Sequence, residues 1–278
     1  MVRDFKSGSR TIFSSSDGMS YWPKGYRSCV FLSFDYDASS AEMWKAPLDA
    51  VAQSKGRYAP NVAIPRILDM LDRLDIKSTF FTPGWTADNH PDSVEAIISR
   101  GHEVAAHSYS HERMTELSWE AESSVWERSL AALEHLGVKP RGYRAPYWLV
   151  GDRSISHMRR LGFSYSSNFM DDDMPYMLSW RGEETGIVEL PVEWLLDDWP
   201  HFETDRRSPD EVYRLWKPEF EALHDLGRYF GLTCHPECIG RASRLRMLEK
   251  LLGEMKEKGD VWFPTGAELA EQVRSKRR

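Results

Sequence analysis

The chain has 278 residues, and its 36 lysines and arginines stand against 43 aspartates and glutamates, which gives a formal charge of -7. With 41% hydrophobic and 28% charged residues, the composition excludes wholesale disorder. The acidic balance argues against non-specific binding to nucleic acid or to an anionic membrane, because both partners need a positive field.

Covalent and membrane features of the chain follow from a few residues. The three cysteines, Cys29, Cys234 and Cys238, are too few for a closed disulfide framework. No run of about 18 apolar residues is present to span a membrane. Residues 1–20 are polar and lack the apolar stretch of a secretory signal. We therefore expect a cytoplasmic protein without a membrane partner.

Short apolar runs alternate with amphipathic helices along the chain. Residues 29–34 are expected to form a buried strand, and apolar residues at helical spacing after Asn61 predict a helix. The other expected strands are 77–82, 102–107, 141–144, 163–167, 187–191, 229–234 and 261–263. The other expected helices are 91–101, 119–136, 153–161, 210–226, 241–258 and 266–273.

This alternation predicts a parallel sheet covered by helices. Because no linker of proline, glycine or serine interrupts it, we expect one domain over residues 28–273. An N-terminal extension would cover residues 1–27, and a basic tail would cover residues 274–278. The alternation is compatible with a barrel and with an open doubly wound sheet, and it does not choose between them.

Polar residues at the carboxyl ends of the predicted strands are the candidates for function, because parallel α/β proteins place their sites there. Asp35 and Asp37 end the first strand and point the same way if the strand continues. Burying both charges is costly unless a cation or a hydrogen-bond network compensates them. An aspartate that caps the following turn is an equally good interpretation of these residues alone.

Two other strand ends carry candidate residues. His107 and His111 have the spacing that metal sites use if the segment turns helically, although structural histidines are common at such positions. Arg144 is placed to orient a carboxylate, and Pro146 after it could present the next backbone amide. An ordinary loop with a surface arginine is the alternative interpretation of the second segment.

His235 follows a late strand and is placed like a catalytic general acid or base. A zinc cluster of Cys234, His235 and Cys238 is the rival interpretation, but three ligands within five residues suit a structural zinc site poorly. We therefore interpret both cysteines as packing residues. The acidic and aromatic stretch 197–202 could form a pocket wall, and the role of His201 within it stays open.

The motifs SFDYD, HSYSH, RAPYW and LTCHP, in this order, resemble those of the polysaccharide deacetylase (NodB-homology) superfamily. The segments PGWT, ELPV and GRASR are similar to the branch that contains allantoinase-like, cyclic-imidase-like and cytoplasmic peptidoglycan-deacetylase-like proteins. The resemblance covers about residues 28–270. It implies an α/β fold that is a single distorted (β/α)7–8 barrel.

The resemblance also implies the roles of individual residues. Asp37, His107 and His111 would bind a divalent metal, with Zn2+ as the expected ion. Asp35 would be the general base and Arg144 its orienting partner. His235 would be the general acid, paired with Asp198 or Asp197, and the backbone amide of Tyr147 would help to hold the oxyanion. The expected substrate-pocket residues are Trp85, Trp148, Asp198 and Trp199.

This sequence departs from the common pattern of the superfamily at three positions. Tyr36 separates the two acids, Ala38 stands where a glycine is usual, and Glu112 stands where many members have proline. Because of the first departure, Asp35 and Asp37 could exchange their roles.

The implied reaction is hydrolysis of an amide bond other than a peptide bond. One candidate substrate is an N-acetylated sugar or related acetamide, which would release acetate. The alternative is a cyclic imide or ureide, whose ring would open, and a third interpretation is a catalytically inactive metal-containing binding module. The expected partner is a small-molecule or glycan substrate, and a homo-oligomer is compatible with the tryptophan-rich loops.

Overall fold

A computed structural model describes residues 21–43 and 49–276 of the chain. Most of the expected N-terminal extension and the last two residues of the basic tail therefore lie outside the described residues. Among the described residues, no helix is both long enough and apolar enough to cross a lipid bilayer.

Strands and helices alternate over most of the described chain. The strands are β1 (Ser28–Asp35), β2 (Thr79–Thr82), β3 (Glu103–Ala106), β4 (Gly142–Tyr143), β5 (Tyr165–Ser166), β6 (Tyr176–Trp180), β7 (Glu183–Glu189), β8 (Tyr229–Cys234) and β9 (Val261–Trp262). The helices are α1 (Ser40–Met43), α2 (Ala50–Tyr58), α3 (Ile64–Leu74), α4 (Gly84–Asn89), α5 (Pro91–Ser99), α6 (Trp119–His135), α7 (Asp152–Leu161), α8 (Pro209–Asp225), α9 (Pro236–Ile239), α10 (Ala242–Glu257) and α11 (Gly266–Ser275).

The nine strands found in the described part of the chain form one sheet in the order β6-β7-β5-β4-β3-β2-β1-β8, with β9 also pairing with β1. All pairs are parallel except β6 with β7. The sheet curls, and a single parallel bridge joins Asp197, in the segment after β7, to Thr233 of β8. The expected distorted barrel of the NodB type is confirmed as a curled half-barrel sheet covered by helices.

Alternation along β1 separates the inside of the barrel from the helix-facing side. Val30, Leu32 and Phe34 belong to the large core between the sheet and the helices. Phe31 lies in a smaller cluster with residues of other strands, and every residue of β1 is buried. Asp35 has the same parity as Phe31, so its side chain lies on the inner face of the sheet.

The structure corrects the prediction of a purely parallel sheet. The expected strand 187–191 is the end of a longer strand, β7, and β6 before it was not predicted. The two strands form an antiparallel hairpin at the edge of the sheet. The residues of β6 are mostly only half-buried, so its sequence lacks the continuous apolar run of a central strand.

Candidate active site

Asp35 is the last residue of β1 and is buried in an ion pair with Arg144. Nη1 of Arg144 donates a hydrogen bond to Oδ1 of Asp35 at 2.6 Å, and the two side chains are 1% and 6% exposed. The guanidinium also donates from Nη2 to Oγ of Ser167 at 2.9 Å and lies 4.1 Å over the ring of Phe81. The buried charge of Asp35 is thus compensated by a cation that is itself fixed on several sides.

Asp37, two residues beyond the end of β1, lies close to His107 and His111, which follow β3. Nε2 of His107 lies 3.3 Å from Oδ1 of Asp37, and Nε2 of His111 lies 3.2 Å from Oδ2 of the same carboxylate. All three residues are buried. Nε2 of His107 is also 4.0 Å from Oδ2 of Asp35, which places the second carboxylate beside the cluster.

The chemistry of this cluster fits a divalent metal. Nδ1 of His107 donates to the carbonyl oxygen of Arg144 at 2.8 Å, so the lone pair of Nε2 faces Asp37. Two ligands that are each about 2.0–2.1 Å from a tetrahedral zinc lie roughly 3.4 Å apart. The spacings of 3.2 and 3.3 Å match that value. Oδ1 of Asp37 and Nδ1 of His111 are buried without a hydrogen-bond partner among the described residues.

The charges of the cluster shift the acidity of its members. Burial would raise the pKa of Asp37, but the neighbouring His111 and His107 lower it well below its usual value. Burial would lower the pKa of His107, but the negative charges of Asp35 and Asp37 raise it above its usual value. The shifts of Asp37 and His107 both favour the charged forms, and a metal cation can supply the positive charge in place of a histidine proton.

Backbone contacts hold the loop that carries His111. Ser108 and His111 have left-handed φ angles of 58° and 63°. The carboxylate of Glu112 accepts hydrogen bonds from the backbone N–H groups of Tyr109 and Ser110 at 3.1 and 2.9 Å. The residue that replaces the usual proline therefore has a structural role, since it stabilises this strained loop.

The start of α4 supports the same loop from the other side. The backbone N–H of Gly84 donates to the carbonyl oxygen of Ser108 at 3.0 Å. The backbone N–H of Trp85 donates to the carbonyl oxygen of Tyr109 at 2.8 Å. A Cβ at Gly84 would come within 2.8 Å of the backbone of Ser129, so only glycine permits this approach.

His235 lies at the end of β8 and pairs with Asp198. Nδ1 of His235 is 2.8 Å from Oδ1 of Asp198, and the backbone N–H of His235 donates to the same carboxylate at 3.0 Å. Asp197 is the more distant acid, at 3.7 Å. Because Nδ1 is engaged with a fully buried carboxylate, Nε2 is the nitrogen that can reach a substrate.

The same acids set the protonation of His235. Burial would lower its pKa, but the charges of Asp197, Asp198 and Asp35 raise it well above the usual value. These charges favour the protonated imidazole, in which Nε2 carries a proton. Because Phe34 of β1 pairs with Cys234 of β8, the residues that follow them, Asp35 and His235, lie side by side. Asp35 therefore connects the His235 pair with the Asp37 cluster.

Exposed or half-buried aromatic side chains lie next to His111 and His235. The ring of Tyr147 packs edge-on against His111 at 4.7 Å, and the ring of Trp199 packs against His235 at 5.3 Å. Trp148 packs against Trp194 at 4.3 Å, and Trp194 is 49% exposed. Tyr147 and Trp148 both have left-handed φ angles, of 57° and 55°, which turns this segment out of regular helix.

The structure places some of the expected pocket residues in contact with His111 or His235 and others farther away. Tyr147, Asp198 and Trp199 contact His111 or His235 directly. Trp148 joins the aromatic surface through Trp194, a residue that the sequence did not single out. The ring of Trp85 instead packs against His90, the residue after α4, at 5.9 Å, and His90 is not one of the candidate catalytic groups.

The structure also bears on two other interpretations, the zinc cluster of Cys234, His235 and Cys238 and the role of His201. Cys29, Cys234 and Cys238 are buried free thiols, and burial raises the pKa of each. The two metal-compatible clusters found in residues 21–43 and 49–276 contain no cysteine. His201 bonds through Nε2 to the carbonyl of Leu195 at 2.8 Å and thereby supports the segment before Asp197.

Several buried polar residues near the site were missed by sequence reasoning. Ser167, Asn168 and Glu189 lie just beyond β5 and at the end of β7, and all are at most 4% exposed. Glu237, two residues after His235, is also buried, and burial together with the charge of Asp37 raises its pKa. Ser167, Asn168 and Glu189 stand at or just after strand ends, but their hydrogen-bond partners lie on other segments that the sequence does not place beside them.

Comparisons with known proteins agree with this arrangement. The family model described as polysaccharide deacetylase matches residues 24–166. A peptidoglycan deacetylase of Helicobacter pylori is 29% identical over 251 residues, which cover 78% of this chain and 86% of that protein.

Solved structures show the same fold. A protein of Mycobacterium smegmatis, provisionally described as a polysaccharide deacetylase, has a TM-score of 0.85 at 36% identity, covering 92% of this chain and 93% of that chain. The PuuE allantoinase has a TM-score of 0.82 at 22% identity, covering 97% and 98% of the two chains, and this likeness concerns the fold alone.

The expected resemblance is thus confirmed by the sequence model and by the solved structures. The expectation of a hydrolase acting on carbon–nitrogen bonds other than peptide bonds is confirmed with it. The chain belongs to the polysaccharide deacetylase family, whose chemistry is the hydrolysis of N-acetyl amide bonds.

Proposed function

We propose that the protein is a metal-dependent deacetylase that releases acetate from an N-acetylated sugar within a glycan, with Zn2+ as its metal. One observation carries the proposal: a cluster of one carboxylate and two imidazoles lies beside a second buried carboxylate, Asp35, whose neighbour at the end of the adjacent strand is His235. Such a cluster leaves positions open for water and substrate.

Asp37, His107 and His111 would hold the metal. When bound, the metal would polarise the acetamide carbonyl and make a water molecule easier to deprotonate. The role of Asp35 follows from its neighbours. It is fixed by Arg144 through Oδ1, and its Oδ2 faces His107, so it can accept the proton of the attacking water.

His235 would supply the second proton. Its Nε2–H is available because Nδ1 is held by Asp198, and the neighbouring acids raise the pKa of His235 and so favour the protonated form. Donation to the amide nitrogen lets the C–N bond break, so that acetate and a free amine leave. The backbone amide of Tyr147 would donate to the oxyanion, and a donor of this kind is worth about 3–4 kcal/mol in known hydrolases.

The aromatic surface supports a glycan as the substrate. Tyr147, Trp194 and Trp199 are 38%, 49% and 36% exposed. Tyr147 packs against His111 and Trp199 against His235, while Trp194 packs against Trp148, the residue that follows Tyr147. Large exposed aromatic groups offer flat apolar faces to the C–H groups of a pyranose ring. A small cyclic imide or ureide needs no surface of this length, so the aromatic residues favour the longer substrate.

A substrate panel tests the proposal. Zinc-loaded protein is assayed for acetate release from N-acetylglucosamine oligomers and for ring opening of cyclic imides and ureides. Acetate release that increases with oligomer length supports the proposal, whereas ring opening without acetate release supports the imidase alternative. Absence of turnover at full zinc occupancy supports the inactive binding module.

Two tryptophan variants sharpen the panel. Trp194→Ala is expected to raise KM for long oligomers by about tenfold with a smaller effect on short ones, because only long chains reach the outer aromatic pair. Trp119→Ala is the control, since Trp119 is similarly exposed at 45% but stacks on His157 of α7. Equal effects of the two variants would contradict the assignment of the Trp148–Trp194 pair to substrate binding.

A further inference from the structure

We infer that Ser167, Asn168 and Glu189 form a buried positioning frame, which fixes Arg144 and the backbone that leads to Tyr147. The inference rests on the proposed function, because it gives these residues a role in the same reaction. Ser167 and Asn168 lie in none of the segments that carry the resemblance, and Glu189 begins the ELPV segment, to which no role was given. They act through other residues and are therefore positioning residues rather than catalytic ones.

Asn168 connects the two neighbours of Arg144. Its Oδ1 accepts a hydrogen bond from the backbone N–H of Ala145 at 2.8 Å, and its Nδ2 donates to the carbonyl of Tyr143 at 3.4 Å. A third bond runs from Nδ2 to Oγ of Ser166 at 2.9 Å. One side-chain amide therefore spans the backbone on both sides of the arginine, beyond the point where β4 and β5 cease to pair as regular strands.

Ser167 holds the side chain of the same arginine. Its Oγ accepts from Nη2 of Arg144 at 2.9 Å, and its carbonyl accepts from Nε at 3.3 Å. The remaining terminal nitrogen, Nη1, points to Asp35 at 2.6 Å. Because the guanidinium is planar and rigid, fixing Nε and Nη2 also fixes the direction in which Nη1 donates.

Glu189 holds the frame from the neighbouring strand. Its Oε1 accepts from the backbone N–H groups of Asn168 and Phe169 at 2.5 and 2.9 Å, and the residue is fully buried. These bonds fix the chain at the point from which the Asn168 side chain reaches across to β4. Burial raises the pKa of Glu189 to about 7, although both backbone donors lower it.

The orientation of the proposed base, Asp35, and that of the proposed metal ligand His107 both depend on this frame. The guanidinium of Arg144 orients Asp35, and its carbonyl oxygen accepts from Nδ1 of His107. Ala145, which Asn168 binds, is followed by Pro146 and then by Tyr147 with its left-handed backbone. A small displacement of residues 143–147 would therefore move the base, one metal ligand and the oxyanion donor together.

Glu103 provides a comparison at the opposite end of the strands, on the central strand β3. It begins β3, and its Oε2 accepts from Oγ1 of Thr79 at 2.8 Å and from the backbone N–H of Ala267 at 3.0 Å. Burial raises its pKa as well. It is therefore a carboxylate with a similar environment at the amino end of the strands, away from the candidate catalytic groups.

The test compares Asn168→Ala, Glu189→Leu and Glu189→Gln with Glu103→Leu and Glu103→Gln. We measure kcat and KM for acetate release in the zinc-loaded protein, and hydrogen–deuterium exchange of the peptide covering residues 143–149. Asn168→Ala and Glu189→Leu are expected to lower kcat by about tenfold or more, with KM changed less than about threefold, and to speed exchange in that peptide. Glu189→Gln keeps an acceptor oxygen and should recover about tenfold of the kcat that Glu189→Leu loses.

Two results would overturn the frame. One is a loss of kcat in Glu103→Leu as large as that in Glu189→Leu, since the effect would then follow stability alone. The other is unchanged exchange of residues 143–149 in Asn168→Ala, which remains informative if Glu189→Leu fails to fold. If the wild-type protein releases no acetate from any substrate, the proposed function fails, while the exchange data still decide whether the frame fixes this segment.

Discussion

The carbonyl oxygen of Arg144 accepts a hydrogen bond from Nδ1 of His107 at 2.8 Å, while the guanidinium of the same arginine donates to Asp35. One residue at the end of β4 therefore sets the tautomer of a proposed metal ligand and the orientation of the proposed base. This relationship explains why an arginine is needed rather than any cation. A lysine could neutralise Asp35, but it could not bond Ser167 and Asp35 at once through a rigid fork.

The ion pair of Arg144 and Asp35 has a large predicted effect on stability. Arg144→Met is expected to destabilise the protein by about 3–5 kcal/mol, because it leaves the buried charge of Asp35 without a partner. Asp35→Asn combined with Arg144→Met should be more stable than Arg144→Met alone, since both charges are then absent. Urea unfolding of the wild type, the two single variants Arg144→Met and Asp35→Asn, and the double variant measures this coupling. Strictly additive effects on the free energy of unfolding would show that the pair is not energetically linked.

The proposed metal ligands can be separated from the proposed acid by metal content. His107→Ala and His111→Ala are each expected to retain less than about a tenth of the zinc bound by the wild type, because two ligands hold the ion weakly. His235→Ala is the control and should keep its zinc while losing turnover. Elemental analysis after dialysis provides the measurement. Full zinc in either ligand variant, or loss of zinc in His235→Ala, would contradict the assignment of roles.

The pH dependence of the reaction should report the pairing of His235 with Asp198. A general acid must be protonated, so activity falls as the pH rises through its pKa. Asp198→Asn removes a charge that raises this pKa, so the alkaline limb of the kcat profile should move to lower pH. At pH 8 we expect a loss of about tenfold or more.

A second histidine–aspartate pair provides the control for this shift. Nε2 of His224 lies 3.5 Å from Oδ1 of Asp260, and His224 also contacts Ser28 at the start of β1, away from the candidate catalytic groups. Asp260→Asn should leave the alkaline limb in place. If both variants shift the limb equally, the change reflects the net charge of the protein, and His235 is not the acid that the profile reports.

Stability should depend on pH through Glu189. Its pKa is raised from 4.5 to about 7 in the folded protein because the carboxyl group is buried. The folded state therefore holds this proton more tightly than the unfolded state, so the contribution of Glu189 to stability is largest below about pH 4.5 and declines until about pH 7. Glu189→Gln lacks this titration, so the wild type should lose about 3 kcal/mol relative to the variant between pH 4 and pH 8. Urea unfolding at both pH values tests this, and a pH-independent difference would show that Glu189 titrates normally.

The elements that were predicted correctly are those whose signal is local. The apolar run of β1 with acids at its end, and the helix starts at Pro91 and Gly266, can be recognised from a few consecutive residues. The strand ends then identified Asp35, His107, Arg144 and His235 as candidates, because parallel strands bring their carboxyl ends together.

The features that were not predicted depend on contacts between distant segments. Strand β6 is stabilised by pairing with β7 rather than by its own pattern. Asn168 and Glu189 look like ordinary polar residues until β4, β5 and β7 are placed side by side, and their partners lie about twenty residues away. The choice between Asp197 and Asp198 as partner of His235 likewise depended on distances of 3.7 and 2.8 Å, which adjacent residues in a sequence do not reveal.

The most direct test of the central claim is acetate release from an N-acetylglucosamine oligomer, measured while zinc is added to metal-free protein. The proposed deacetylase should gain activity in proportion to zinc and reach its maximum at one equivalent per chain, and His107→Ala should gain none over the same range. Full activity of the metal-free protein, or no acetate at one bound zinc per chain, would contradict the assignment of Asp37, His107 and His111 as the metal site of a deacetylase.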